Sequence, residues 1–150
     1  MGNAPPVEIL LVEDNPNDIE LALRAFKKNK LVNHVNIVRD GEEALDYLFG
    51  RGTYAGRNIA DVPTLILTDL NMPRVNGLEL LKEIRSNPLT KNIPVVVLTT
   101  SREEQDVLDA HRLGINSYIL KPVDFEQFMN SARLIGYHWM LLQKKEENNK

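Results

Sequence analysis

Five short apolar runs alternate with five segments of helical period, which predicts a doubly wound α/β domain. The expected architecture is a (βα)5 parallel sheet of order 2-1-3-4-5 with helices on both faces. Two further observations support it. The apolar runs are rich in Val, Ile and Leu and mostly continuous, as in strands covered on both faces. The segments between them carry residues that open and close helices.

The strands are expected at Val7–Val12, Val35–Val38, Leu65–Thr68, Val95–Leu98 and Tyr118–Leu120. Asn15-Pro16 supplies a cap and a proline at the first helical position, and Ile19, Ala22, Leu23 and Phe26 then recur on one face. Asp40 precedes a short helix with Ala44, Leu45 and Leu48, which Gly50 can close. Asn76 opens a helix with Leu80, Leu81 and Ile84 inward, stopped by Asn87-Pro88. Ser101 with Glu104 reads as a capping box for a helix ending at Gly114. Asp124 with Gln127 opens the last helix, where Phe125, Phe128, Met129, Ala132, Ile135, Trp139 and Leu142 repeat at helical spacing. The loop Arg51–Pro63 is longer than usual between a helix and a strand.

The 150 residues suit one domain, expected over 7–143 between an N-terminal tail, 1–6, and a C-terminal tail, 144–150, that frays. No output domain is expected. A net charge of −3 and the lack of a basic stripe argue against nucleic acid or anionic membrane as a partner. No apolar run approaches the ~20 residues that span a bilayer. The absence of cysteine excludes disulfides and thiolate metal sites and suits a reducing cytosol, so a cytoplasmic protein is expected.

In an open parallel sheet, ligands bind at the carboxyl ends of the strands, near the point where strand order reverses. Glu13 and Asp14 follow the first strand, Asp69 the third, Thr99 the fourth and Lys121 the fifth. Taken singly, each has an ordinary reading: helix cap, turn residue, strand end or solvated charge. Together they converge on one sheet edge. Three carboxylates with a single lysine repel one another, and a hard divalent cation relieves that repulsion. All-oxygen ligation favours magnesium. A carboxylate fixed beside such an ion can act as a nucleophile toward a phosphoryl group. The Thr99 hydroxyl and the Lys121 ammonium are then suited to neutralising the transferred oxygens.

The runs Leu10-Leu11-Val12-Glu13-Asp14-Asn15, Leu67-Thr68-Asp69-Leu70-Asn71-Met72-Pro73, Val97-Leu98-Thr99-Thr100 and Tyr118-Ile119-Leu120-Lys121-Pro122 carry a resemblance, as does Gly77, eight residues after Asp69. Together they resemble the receiver domains of bacterial two-component response regulators, from about Glu8 to the middle of the last helix. The resemblance implies a flavodoxin-like fold, Asp69 as phosphoacceptor and Asp14 as a direct magnesium ligand. It further implies Glu13 acting through water and Asn71 offering its backbone carbonyl to the metal. Thr99 and Tyr118 would form a switch pair, Lys121 would hold the phosphoryl group, and Lys121-Pro122 would be cis. Thr100 and Glu13 depart mildly from the family pattern, being bulkier and longer than the usual residues. The long loop with Gly52-Thr53-Tyr54-Ala55-Gly56 and the aromatic-rich last helix are similar to single-domain receivers paired with phytochrome-type histidine kinases.

A haloacid-dehalogenase-like phosphohydrolase also uses an aspartyl phosphate, but its second acid is replaced here by Asn71 and its cap domain is missing. A flavin carrier needs a hydroxyl-rich phosphate loop where this chain has Glu13-Asp14. A receiver that has lost phosphorylation is disfavoured by the complete residue set. The expected partners are a cognate histidine kinase and a downstream effector or phosphotransfer protein. Tyr137, Trp139, Met140 and Leu141 extend beyond the stripe needed to cover the sheet, so a homodimer through strand 5 and the last helix is expected. The histidines His34, His111 and His138 are scattered and receive no role.

Overall fold

The structure is a computed structural model that describes residues 8–29, 34–70, 75–99, 109–115 and 117–120. Its five strands are β1 (Glu8–Val12), β2 (His34–Val38), β3 (Leu65–Asp69), β4 (Val95–Thr99) and β5 (Ser117–Leu120). They form one parallel sheet in the order β2-β1-β3-β4-β5, the order the alternation predicts. The helices are α1 (Pro16–Asn29), α2 (Gly41–Phe49) and α3 (Gly77–Ser86), with residues 109–112 also helical. Val7, the Ser101/Glu104 capping box and the whole of the last helix lie outside the described residues.

The caps act as their chemistry requires. Asn15 Oδ1 accepts from the N–H groups of Asn17 (2.9 Å) and Asp18 (3.2 Å), opening α1. Asp40 Oδ1 accepts from Glu43 N–H at 2.7 Å to open α2, and Asn76 Oδ1 accepts from Glu79 N–H at 2.9 Å to open α3. Gly50 ends α2 in the left-handed region, at φ 64°. At the other end of α3, the residue before Pro88 turns extended and stops the helix.

Side chains alternate between the two faces of the sheet. Leu10, Val12, Ile66, Val95 and Val97 pack with Ala44, Leu48, Leu80, Leu81 and Ile84 of α2 and α3 in one buried cluster. Each such side chain contributes about 1.5–3 kcal/mol on burial. Ile9, Leu11, Leu65, Leu67, Val96 and Leu98 are buried too, as are Ile19 and Ala22 of α1. Two expectations need correction. Leu23 is 37% exposed, because it sits on the flank of the stripe set by Ile19 and Ala22. β2 is only partly covered, with His34 and Ile37 exposed, because it is the edge strand among the described residues.

The 51–63 connection is more ordered than its composition suggests. Gly52–Tyr54 form a 3-10 turn, and the Tyr54 ring meets Tyr47 of α2 edge-on at 5.2 Å. The Arg57 guanidinium lies over the Tyr47 ring at 4.1 Å and donates to the carbonyls of Tyr47 (2.9 Å) and Asp61. Beneath it, the Tyr47 hydroxyl donates to Glu8 Oε1 at 2.6 Å and accepts from Asn36 Nδ2 at 2.7 Å. Burial and the Glu8 hydrogen bond both push the Tyr47 phenol pKa upward. At the far side of α3, Arg85 donates to the carbonyls of Lys91 (3.0 Å), Ile93 (2.6 Å) and Gly114 (3.0 and 2.8 Å). Burial lowers the pKa of that guanidinium, which stays charged. Among the described residues no helix is long and apolar enough to cross a membrane.

Candidate functional site

Parallel register fixes what arrives at the carboxyl edge of the sheet. Val12 lies beside Thr68, Thr68 beside Val97, and Asp69 beside Leu98, so the β1, β3 and β4 ends are level. The chain order reverses between β1 and β3, which opens the crevice where ligands bind in such sheets.

Glu13 leaves β1 with its N–H donating to Val38 O at 2.9 Å. Its side chain is fully buried, and Oε2 accepts from the N–H groups of Asp14 (3.0 Å) and Asn15 (3.2 Å). A buried carboxylate thus shapes the β1–α1 turn and leaves Asp14 exposed at its tip. Asp69 is the last residue of β3 and is 6% exposed. Its backbone is tied down on two sides. Thr68 Oγ1 donates to Asp69 O at 3.0 Å, and Leu70 N–H donates to Leu98 O at 3.2 Å. Gly77 N–H then donates to Leu70 O at 2.9 Å. A Cβ at Gly77 would stand 2.4 Å from Asp69 O, so only glycine lets α3 start this close to β3.

Glu13, Asp14 and Asp69 each present a carboxylate oxygen, and these oxygens all lie within 4.8 Å of one another. Carboxylates so close repel unless positive charge stands among them, and oxygen donors of this kind suit a hard divalent cation. The residues present therefore fit such an ion. Thr99 closes β4 beside Leu120, level with the site, while its side chain lies outside the described set. Asn71 and Lys121 also lie outside the described residues. Tyr118 pairs with Val97 on β5 and is 40% exposed. His111 meets the Tyr118 ring edge-on, with centroids 5.9 Å apart. Sequence reading passed over His111, because nothing in its spacing signals a contact made only when a helix end meets β5.

The family model for the response regulator receiver domain matches residues 9–133. The chain belongs to the response regulator receiver family. It is 39% identical over 136 residues to response regulator Rcp1 of Synechocystis sp., covering 91% of this chain and 90% of Rcp1. The solved structure of the Mn2+-bound form of Rcp1 superposes with a TM-score of 0.76 over 89% of this chain and 94% of that one. The bacteriophytochrome response regulator RtBRR is 47% identical, with a TM-score of 0.77 over 87% of this chain and 78% of that one. The phosphorylated cyanobacterial phytochrome response regulator RcpA is 41% identical, also at 0.77, over 91% and 95%. This receiver is a phosphoacceptor of two-component signal transduction, partnered by a histidine kinase. The dehalogenase-like alternative is set aside by the same matches.

Proposed function

We propose that Asp69 is the residue phosphorylated, in a magnesium-dependent transfer from a phytochrome-type histidine kinase. The observation that carries this reading is the trio of carboxylate oxygens within 4.8 Å at the switch-point edge. Similarity to RtBRR and to phosphorylated RcpA supports the kinase type. The Mn2+-bound form of Rcp1 supports a divalent cation at these residues.

Asp69 is fixed at a strand end, so its carboxylate is presented without the entropy of a mobile loop. One of its oxygens attacks phosphorus and forms an acyl phosphate. The bond from phosphorus to the donor histidine nitrogen breaks, and that nitrogen keeps the electron pair. Asp14 and Asp69, the Asn71 carbonyl and, through water, Glu13 would hold the magnesium ion. When bound, that ion offsets the carboxylate charge and polarises the phosphoryl oxygens. Lys121 and Thr99 neutralise the remaining oxygens, and Thr99 with Tyr118 reports the new charge to the β5 face. The chain catalyses only its own phosphorylation and dephosphorylation. The signal passes to an effector or phosphotransfer protein, with a homodimer through β5 and the last helix as the switched assembly. The folded domain in this reading spans 7–143, with tails on either side.

The test is incubation with acetyl phosphate and magnesium, followed by intact mass. One added phosphoryl group is expected in the wild type and none in Asp69→Asn. Full labelling of that variant overturns the assignment.

A further inference from the structure

The amino end of α2 meets Val75, two residues before α3, with no side chain on Gly41 between them. A Cβ at Gly41 would stand 2.2 Å from the Val75 carbonyl oxygen, 2.9 Å from its carbonyl carbon and 2.9 Å from its Cβ. Two of those three are backbone atoms, so no rotamer change relieves the contact. The Val75 backbone would have to retreat by roughly 1 Å to restore ordinary van der Waals separation. The φ of Gly41 is not positive, so backbone conformation does not demand glycine there. Space does.

Two residues beyond Val75 comes the Gly77 contact with Asp69 O, already described. A Cβ there would also stand 2.6 Å from Leu70 Cα. Residues 75–77 therefore link the two close approaches, Val75 lying against Gly41 of α2 and Gly77 against Asp69 and Leu70. The α2 side is itself braced. The Glu43 carboxylate accepts from Arg39 N–H at 3.0 Å and from the Tyr54 hydroxyl at 2.7 Å, while Asp40 accepts from Glu43 N–H. Gly41 is buried within that brace and cannot easily swing aside.

We propose that Gly41 is a positioning residue for phosphoryl acceptance. The depth at which it lets Val75 seat sets where the Asp69 carboxylate stands relative to Asp14 and Glu13. This rests on the reading of Asp69 as the acceptor. Misplacement of a reacting group by about 1 Å lowers rates by up to ~100-fold, so a buried methyl at residue 41 acts at a distance from the chemistry.

Four variants test it by magnesium titration, acetyl phosphate labelling and thermal midpoint. Gly41→Ala is expected to weaken magnesium binding and slow labelling, each by about tenfold or more. Glu42→Gly loosens the same helix at an exposed position without pressing on Val75, and is expected within twofold of wild type in both. Gly56→Ala, where an added Cβ meets nothing within 4 Å, is expected to behave as wild type. The double variant Gly41→Ala/Val75→Gly removes one contact and frees the backbone to yield, and is expected to regain most of the lost affinity. Unchanged binding and labelling in Gly41→Ala overturns the proposal, as does an equal loss in Glu42→Gly, which would tie the effect to helix stability. Asp69→Asn, run alongside, separates the two readings. Label surviving in it defeats the acceptor assignment, whereas label lost there and unaffected in Gly41→Ala defeats only the positioning role.

Discussion

The Tyr54 hydroxyl donates to Glu43 Oε2 at 2.7 Å, fastening the 51–63 loop to the first turn of α2. The bond holds the phenol protonated and pushes its pKa from 10.0 up to about 12, with the Glu43 hydrogen bond as the largest cause. A folded-state pKa raised in this way adds stability that is complete below pH 10 and is lost as pH rises toward 12. Urea unfolding of wild type and Tyr54→Phe should therefore differ by at most about 1 kcal/mol at pH 8. The gap should close in the alkaline window. A gap that stays constant across it would show that this hydroxyl does not titrate as described.

Asp14 and Glu13 are adjacent in sequence but differently placed, and their variants should separate. Asp14→Ala removes an exposed anionic ligand and should lower magnesium affinity tenfold or more, with little change in thermal midpoint. Glu13→Ala should cost less in affinity. It deprives the amides of Asp14 and Asn15 of their buried acceptor, so stability should fall by about 2 kcal/mol. Calorimetric titration and thermal unfolding read the two effects independently.

Arg85 joins the end of α3 to residues 91–93 and to Gly114 through carbonyl acceptors. Arg85→Met should lower stability by roughly 1–3 kcal/mol in chemical denaturation, because three carbonyls, that of Ile93 in a partly buried bond, lose a charged donor together. Arg85→Lys should recover only part of that, since an ammonium lacks the planar fork that reaches separate acceptors. Full recovery by lysine would mean that charge, not geometry, is what matters there.

Sedimentation velocity at micromolar concentration tests the proposed assembly. The phosphorylated protein should sediment as a dimer, and Trp139→Ala should return it to a monomer. A monomer in both phosphorylation states, unaffected by that substitution, would remove the homodimer from the mechanism.

The sheet and its order were legible in the sequence because continuous apolar runs, proline positions and cap residues are local signals. Asn15, Asp40, Asn76 and Gly50 each act within three or four residues of where they stand. The convergence of Glu13, Asp14 and Asp69 was legible too, since parallel strands leave their carboxyl ends on one edge. What escaped was set by tertiary contact. Nothing in the spacing of Glu13 says that its carboxylate turns inward to hold two amides. The exposure of Leu23 depends on where its helix lies over the sheet. The order in residues 51–63 comes from Arg57 stacking on Tyr47, a pairing that only the folded chain creates.

Residues 51–63 leave α2 and enter β3 at the amino ends of the strands, where Thr64 N–H meets Glu8 O at 2.8 Å. The acidic trio stands at the other rim, a full strand away. Extra residues inserted at this rim lengthen a surface connection without shifting any strand by the one residue that would turn its side chains to the wrong face. The fold thereby keeps two rims apart: one where a connection can lengthen without touching the strand register, and one where the acidic trio depends on that register.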